Sequence, residues 1–248
     1  MIITIDKISC ACEPGEYLLE IAMRNNIDIP ALCHHEGLPG QGCCRVCIVE
    51  VEINGRRSIV SACVYPIERE CSVFTNSDNV LRQRSTVLSL LRSLALGSDE
   101  IAKLCERYDA PEHERFATRP GEKCILCGLC VKACGSLGTG AISTVSRGIE
   151  KAVTTPYGEP SIACVGCASC ARVCPTGAIE FEEGDKKRTI WNKTLPLRAC
   201  KSCGQPMGTL VELRRAAGKS GGEIPVLCEV CKKKSIADVM AATYGHRI

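Results

Sequence analysis

Two short stretches of this sequence decide its fold: CILCGLCVKAC at residues 124–134 and CVGCASCARVCP at residues 164–175. Both have the spacing C-x2-C-x2-C-x3-C, so this part of the chain contains an internal repeat. A tight loop with two residues between cysteines presents three thiolates to a cubane 4Fe-4S cluster without strain, and the fourth ligand must come from elsewhere. A pair of zinc knuckles is the alternative, although zinc sites seldom use three closely spaced cysteines followed by a fourth at this offset.

The two runs resemble the cluster-binding segments of two-cluster ferredoxins, in which the fourth cysteine of each run ligates the other cluster. This sequence departs from that pattern in having Gly135 where proline is usual after the first run, and in the long gap between the runs. Neither departure removes a ligand. The resemblance implies two 4Fe-4S clusters with crossed ligands, one on Cys124, Cys127, Cys130 and Cys174, and the other on Cys164, Cys167, Cys170 and Cys134.

A third group of cysteines lies nearer the start of the chain and predicts a binuclear cluster. Its spacing is C-x10-C-x2-C-x15-C, and its members are Cys33, Cys44, Cys47 and Cys63. The loop between the first two contains glycines, so its backbone amides could hydrogen-bond the sulfides of a 2Fe-2S cluster. In plant-type ferredoxins about four residues separate the first two cysteine ligands. The residue at that distance before Cys44 is Pro39, so the shorter spacing does not occur in this chain.

Two alternatives remain open at this loop. Cys43 is adjacent to Cys44, so it could tune the cluster or exchange with Cys44 as a ligand. His34 and His35 suggest a Rieske centre, in which two histidines replace cysteines on one iron, but no histidine accompanies the later Cys47. The other cysteines outside the predicted sites are expected to be buried or half-buried packing residues.

The long loop resembles the 2Fe-2S domain in the large iron–sulfur subunit of respiratory complex I and in the diaphorase small subunit of NAD-reducing hydrogenases. The sequence is especially similar to those proteins at residues 32–34 (LCH) and 42–47 (GCCRVC). Residues 82–96 are similar to the helix that follows this domain in those proteins. The resemblance covers about residues 1–180. It implies a non-catalytic electron-transfer subunit between a flavin subunit that acts on NAD(P) and a hydrogenase- or formate dehydrogenase-type subunit. The alternative is the branch-point subunit of an electron-bifurcating complex, which would use the same ligands.

Two further C-x2-C pairs near the end of the chain predict a four-sulfur metal site. They are Cys200 with Cys203, and Cys228 with Cys231. Two opposed turns of this kind make a tetrahedral thiolate site, which is typical of structural zinc, while a single iron or another iron–sulfur cluster is the alternative. So small a module has little apolar core of its own, and we therefore expect metal binding and folding to be coupled.

Hydrophobic periodicity organises the rest of the chain and predicts an α+β fold class. Alternation near residues 3–5 and 49–53, with an Asn54-Gly55 hairpin turn, predicts a β-grasp-like 2Fe-2S ferredoxin domain over residues 1–76. Helical spacing over residues 77–96 and 99–108 predicts a helical connector at 77–118. A two-cluster 4Fe-4S ferredoxin domain at 119–185 and a zinc-ribbon-like module at 186–248 complete the predicted division.

Composition and charge exclude several classes of protein. The chain has 248 residues, 21 of them cysteine, and a formal net charge of +3. Its first residues lack the pattern of a secretory signal, so a cytoplasmic protein with reduced thiols is expected rather than a disulfide scaffold. No run approaches the roughly 18 apolar residues of a membrane span, so no direct membrane insertion is expected. The weak basic charge and the few aromatic residues argue against nucleic acid, leaving a redox-sensing nucleic-acid-binding regulator as a remote alternative.

Overall fold

The computed structural model describes residues 1–112, 115, 120–184 and 186–244. The chain forms two compact units, each built from two segments. The first unit comprises Met1–Ala133 and Arg172–Ile179, and the second comprises Cys134–Ala171 and Glu180–Ile248. Within the described residues, no helix combines the length and apolarity that crossing a membrane requires. The predicted four-part division, whose connector runs partly outside the described residues, stays a prediction.

A five-stranded sheet opens the first unit. Its strands are β1 (Ile2–Ile5), β2 (Ile8–Ala11), β3 (Ile48–Ile53), β4 (Arg56–Ser61) and β5 (Ser72–Phe74). Their spatial order is β2-β1-β5-β3-β4, and only β1 and β5 pair in parallel. The apolar residues of helix α1 (Leu18–Arg24) share a core with this sheet. The hairpin between β3 and β4 turns at Asn54-Gly55, where both residues have positive φ, as the sequence predicts.

Two helices follow the sheet in the first unit. Helix α2 (Asp78–Leu94) begins after Ser77, whose side chain accepts a hydrogen bond from the Val80 amide. Helix α3 (Asp99–Arg107) is capped in the same way by Ser98. Their apolar faces form a second hydrophobic core, which also contains Cys33, Cys44 and Cys127. The helices predicted from sequence are therefore confirmed, and they pack directly against predicted cluster ligands.

Short elements carry the two cysteine runs. Helix α4 (Leu129–Ser136) follows the first C-x2-C turn, and helix α5 (Ser169–Arg172) follows the second. A hairpin of β6 (Ser143–Val145) and β7 (Ala152–Thr154) lies between them in sequence. The α+β class predicted from the sequence is confirmed by this mixture of helices and separate, mainly antiparallel sheets.

A second sheet, in the second unit, was not predicted. It consists of the antiparallel strands β8 (Phe181–Glu183), β9 (Lys187–Ile190), β10 (Lys193–Ala199) and β11 (Pro206–Thr209), in the order β11-β10-β9-β8. Arg188 obscures the pattern of β9, because it occupies a core-facing position where it is only 4% exposed and pairs with Glu183. Helices α6 (Leu210–Ser220) and α7 (Glu229–Tyr244) follow.

Candidate metal centres

The first unit brings together the four cysteines predicted to bind the binuclear cluster. Cys33, Cys44, Cys47 and Cys63 are all buried. The Sγ atoms of Cys47 and Cys63 are 3.3 Å apart, and the Cys44 amide donates a hydrogen bond to Cys33 Sγ at 3.4 Å. Four buried thiols at such distances form a compact donor set for a soft metal centre.

Two glycines allow the loop before Cys44 to pass over Cys63. A Cβ atom at Gly40 would lie 2.9 Å from the Cys63 carbonyl oxygen. Gly42 has φ +60, and a Cβ atom there would lie 2.9 Å from Val64 Cγ2. Larger residues would push the loop away from the short helix Ala62–Val64 that carries Cys63. The ten residues between Cys33 and Cys44 thus form a loop whose glycines allow its backbone to lie close to Cys63.

The electrostatics of this group favour thiolates at two positions. Hydrogen bonds from Cys43, Cys44 and Cys63 hold the pKa of the Cys33 thiol far below its usual value. A hydrogen bond between Cys47 and Cys63 lowers the pKa of Cys47 to about 7, even though burial acts in the opposite direction. The pKa values of Cys44 and Cys63 are raised, because each donates to Cys33. Neighbouring thiols in this group share protons through hydrogen bonds. Bound iron would take the place of those protons, since thiolates are the metal ligands.

Arg84 on α2 supports the segment that carries Cys47 into β3, a role that no sequence pattern indicates. Its side chain is 1% exposed. The guanidinium donates hydrogen bonds to the carbonyl oxygens of Val46 at 3.1 Å, Ile48 at 2.6 Å and Thr75 at 3.1 Å. The residues before and after Cys47 are therefore held by one buried cation, which also stacks on the Tyr108 ring at 4.9 Å.

Cys43 occupies a position between two predicted sites of the first unit. It is exposed, unlike Cys44, and its thiol donates to the carbonyl oxygen of Cys127 at 3.4 Å. The same thiol is hydrogen-bonded to Cys33, and this contact raises its own pKa. Cys43 thus contacts a predicted 2Fe-2S ligand and the backbone of a predicted 4Fe-4S ligand.

Replacing Cys44 with Ala should abolish the binuclear cluster, whereas Cys43→Ala should leave it in place, because only Cys44 is buried among the other three thiols. Low-temperature electron paramagnetic resonance of the reduced full chain measures this difference. Iron analysis should show a loss of about two irons for Cys44→Ala and none for Cys43→Ala. The reverse pattern would mean that Cys43 is the ligand.

A second set of cysteines lies in the first unit, where Cys174 joins the first run. Burial raises the pKa of Cys127 to about 11 and that of Cys130 to about 12, and the charge of Cys174 contributes to both shifts. The pKa of Cys124 is raised by burial and by Cys174 as well. The structure therefore groups the first three cysteines of one run with the last cysteine of the other.

The corresponding set in the second unit groups Cys134 with the second run. Burial raises the pKa values of Cys164 and Cys170, and the charge of Cys134 adds to both shifts. Cys134, Cys164, Cys167 and Cys170 all line one small cavity. The grouping matches the crossed arrangement implied by the resemblance, while the ligand assignment itself stays a prediction.

Both C-x2-C loops use the same unusual backbone. Leu126 and Gly128 have φ of 56 and 74 in the first loop, and Gly166 and Ala168 have φ of 68 and 58 in the second. Each loop thus holds one residue with a side chain in the left-handed region, which is unfavourable for it. The conformation turns amides towards sulfur, as in the hydrogen bond from Leu126 N to Cys124 Sγ at 3.4 Å.

The donor groups around all three sets suit iron–sulfur clusters. Further amides reach the fourth cysteines, from Ala178 to Cys174 Sγ at 3.3 Å and from Ala141 to Cys134 Sγ at 3.1 Å. Two half-buried rings close to these cysteines have buried nitrogens without hydrogen-bond partners among the described residues: His34, which follows Cys33, and Trp191, which lines the cavity of the second unit. Thiolates with surrounding N–H donors are the environment that bound clusters require.

The four C-terminal cysteines also converge. The Sγ atoms of Cys200, Cys203, Cys228 and Cys231 all lie within 4.8 Å of one another. Hydrogen bonds from the amides of Cys228 and Cys203 lower the pKa of Cys200 to about 6. The predicted four-sulfur site therefore exists as a geometric group, and its donor set is the one that tetrahedral zinc or iron takes.

Family models match both cysteine-rich regions of the chain. Residues 1–78 match the 2Fe-2S iron-sulfur cluster binding domain, and residues 123–178 match the 4Fe-4S dicluster domain. The chain thus contains one region similar to 2Fe-2S cluster binding domains and one similar to 4Fe-4S dicluster domains. The first match covers the sheet, α1 and the four cysteines from Cys33 to Cys63, and the second covers both C-x2-C-x2-C-x3-C runs.

Proteins similar to this chain include subunits of oxidoreductases. The HndD subunit of the NADP-reducing hydrogenase of Solidesulfovibrio fructosivorans is 36% identical over 73% of this chain and 36% of that protein. A subunit of an NADH-quinone oxidoreductase of Rhizobium meliloti (strain 1021) is 29% identical over 82% of this chain and 26% of that protein. The chain thus spans about a third or less of the length of these relatives.

A solved structure shares the fold as well. A chain in the crystal structure of NAD+-reducing [NiFe]-hydrogenase in the H2-reduced state matches with a TM-score of 0.61 and 27% sequence identity. The match covers 71% of this chain and 85% of that one. The resemblance stated from the sequence, to iron–sulfur subunits of hydrogenases and of complex I, is therefore confirmed.

Proposed function

We propose that this protein relays electrons, one at a time, as an iron–sulfur subunit of a multisubunit oxidoreductase. Bound iron–sulfur clusters supply the redox chemistry, because each accepts and releases a single electron. The residues of the chain hold the clusters, exclude water from them and donate hydrogen bonds to their sulfurs. The proposal assigns no catalytic residue and no substrate site to this chain.

One observation carries the proposal: two predicted cluster sites share a single hydrophobic core in the first unit. Cys33, Cys44 and Cys127 all belong to that core. The Cys43 thiol contacts the Cys127 carbonyl, and Lys132 Nζ donates to the Pro39 carbonyl at 2.8 Å in the loop before Cys44. Closely packed protein between two fixed cofactors is what electron transfer between them needs.

The proposed cofactors are one 2Fe-2S cluster, two 4Fe-4S clusters and one zinc ion. The 2Fe-2S ligands are Cys33, Cys44, Cys47 and Cys63. The 4Fe-4S ligands are Cys124, Cys127, Cys130 and Cys174 in one cluster, and Cys164, Cys167, Cys170 and Cys134 in the other. The zinc ligands are Cys200, Cys203, Cys228 and Cys231. Their support is the burial of the 2Fe-2S group, the electrostatic coupling within each 4Fe-4S group and the Sγ distances of the C-terminal group.

The proposed partners are a flavin- and NAD(P)-binding subunit on one side and a hydrogenase- or dehydrogenase-type subunit on the other. The support is that the relatives are subunits of NADP-reducing hydrogenase and NADH-quinone oxidoreductase. The proposed location is the cytoplasm, where a reducing environment suits 21 free cysteines.

Anaerobic isolation of the full chain tests the proposal. We expect about ten irons and about ten acid-labile sulfides per chain, of which about eight of each belong to the two cubanes and about two of each to the binuclear cluster. We also expect about one zinc per chain. Stepwise reduction with dithionite should consume about three electrons per chain and develop binuclear and cubane paramagnetic signals in turn. A colourless protein without acid-labile sulfide would refute the relay, and iron in place of zinc at the C-terminal site would refute only that assignment.

A further inference from the structure

Trp191 is the one tryptophan of the chain, and the structure places it beside the cysteine group of the second unit. It lies with Asn192 in the two-residue turn between β9 and β10, where both residues have positive φ, at 51 and 57. The indole lines the same cavity as Cys134, Cys164 and Cys170. A residue at a tight hairpin turn has thus been turned inward to a predicted cofactor site.

The polar atom of this indole has no conventional partner. Nε1 of Trp191 is buried, and the described residues provide no hydrogen-bond acceptor for it. A buried tryptophan N–H usually finds an acceptor, because leaving it unpaired is unfavourable. The residue that carries this unpaired donor lines the same cavity as Cys170.

The turn that carries Trp191 is fixed to the cysteine loop by several contacts. The Lys193 ammonium, two residues later, donates to the carbonyl oxygens of Ser161 at 2.8 Å and Cys164 at 2.7 Å. Arg188 donates to the Gly166 carbonyl at 2.6 Å from the preceding strand. A Cβ atom at Gly166 would lie 2.5 Å from Leu195 Cδ1, so the loop and the hairpin are in close contact. The indole is therefore held in position on both sides of the turn.

We propose that the Trp191 indole N–H donates a hydrogen bond to a sulfur of the cluster held by Cys134, Cys164, Cys167 and Cys170, and that it thereby raises the reduction potential of this cluster. The inference rests on the proposed function, because it requires that cluster. Reduction adds negative charge to the sulfurs, so an N–H donor stabilises the reduced state more than the oxidised state. The first cubane site has no tryptophan, since the chain contains only this one.

Two replacements that remove the N–H group test the inference in the anaerobically isolated full chain. Trp191→Phe keeps an aromatic ring, and biosynthetic incorporation of benzothienylalanine for tryptophan keeps the bicyclic shape while changing position 191 alone. Both should shift the midpoint potential of one 4Fe-4S cluster to a more negative value and leave the other two clusters unchanged, in a titration followed by paramagnetic resonance. Tyr157→Phe, at a fully exposed aromatic residue of the same unit, is the matched control.

Ligand variants identify which cluster is involved. In Cys174→Ala, which removes the other cubane under the proposed ligand sets, Trp191→Phe should still shift the remaining 4Fe-4S cluster to a more negative potential. In Cys170→Ala, which removes the cluster beside the indole, Trp191→Phe should leave the remaining potentials unchanged. Unchanged potentials with full iron content in the benzothienylalanine protein would overturn the hydrogen bond, whereas a protein without iron or sulfide would instead defeat the relay itself.

Discussion

Replacing Cys124 and Cys174 together with Ala is expected to cost the protein only one cubane, about four of its roughly ten irons. The reason is the crossed grouping of the first unit, in which the charge of Cys174 acts on Cys124, Cys127 and Cys130. If both residues ligate the same cluster, the second replacement removes nothing more. Iron and sulfide analysis of the anaerobically isolated variant, with paramagnetic resonance of the remaining cubane, measures the loss.

The matched variant is Cys164→Ala with Cys174→Ala, which also removes one cysteine from the second run together with Cys174. Under the crossed arrangement these residues belong to different clusters, so about eight irons should be lost and only the binuclear signal should remain. Ligand sets confined to single runs predict the opposite outcome for the two double variants. Cys71→Ala, at a half-buried cysteine outside every predicted set, should keep the full iron content.

Replacing Arg84 with Met should lower the free energy of unfolding of the 2Fe-2S region by about 3 kcal/mol, since each buried carbonyl that loses its donor costs about 1 kcal/mol or more. Three carbonyl oxygens, those of Val46, Ile48 and Thr75, depend on this guanidinium. The variant keeps the unbranched stem of the side chain, so the expected loss comes from the hydrogen bonds and the charge rather than from a large cavity. The binuclear cluster should be released at a lower urea concentration than in the wild-type protein.

Arg82→Met provides the control on the same helix, because Arg82 is exposed and hydrogen-bonds only the side chain of Asn79 among the contacts described. Its effect should stay within about 0.5 kcal/mol, as for other surface substitutions. The measurement is the loss of visible circular dichroism of the binuclear cluster during urea titration of the full chain. Equal midpoints for the two variants would contradict a supporting role for Arg84.

The parts of this protein that could be predicted from sequence are those encoded at short range. Cysteine spacing indicated the 2Fe-2S and C-terminal groups of thiols that the structure brings together among the described residues, and the Asn54-Gly55 turn and the helical spacing from residue 77 located a hairpin and a helix. The grouping of Cys174 with the first run came from a family resemblance, because nothing in local spacing distinguishes it from Cys134.

The parts that could not be predicted depend on charged or polar residues in buried positions. Arg188 faces the core of β9, so the alternation of that strand is hidden behind a cation that pairs with Glu183. The sequence pattern predicts that Arg84 lies on a helix, but it does not predict that the guanidinium donates hydrogen bonds to carbonyl oxygens outside that helix. Trp191 belongs to a turn, where sequence patterns predict exposure, yet its ring nitrogen is buried. Each requires tertiary contacts that periodicity does not encode.

The C-terminal cysteine group encloses a segment whose basic side chains act elsewhere in the second unit. Helix α6 lies between Cys203 and Cys228, and its Arg215 and Lys219 donate to the carbonyl oxygens of Gly138 and Leu137, just beyond Cys134. If the C-terminal cysteines bind zinc as proposed, the metal would hold this segment next to a predicted cubane ligand without contacting it. Retention of that cubane would then depend on the supply of a second metal, a dependence that neither predicted site alone suggests.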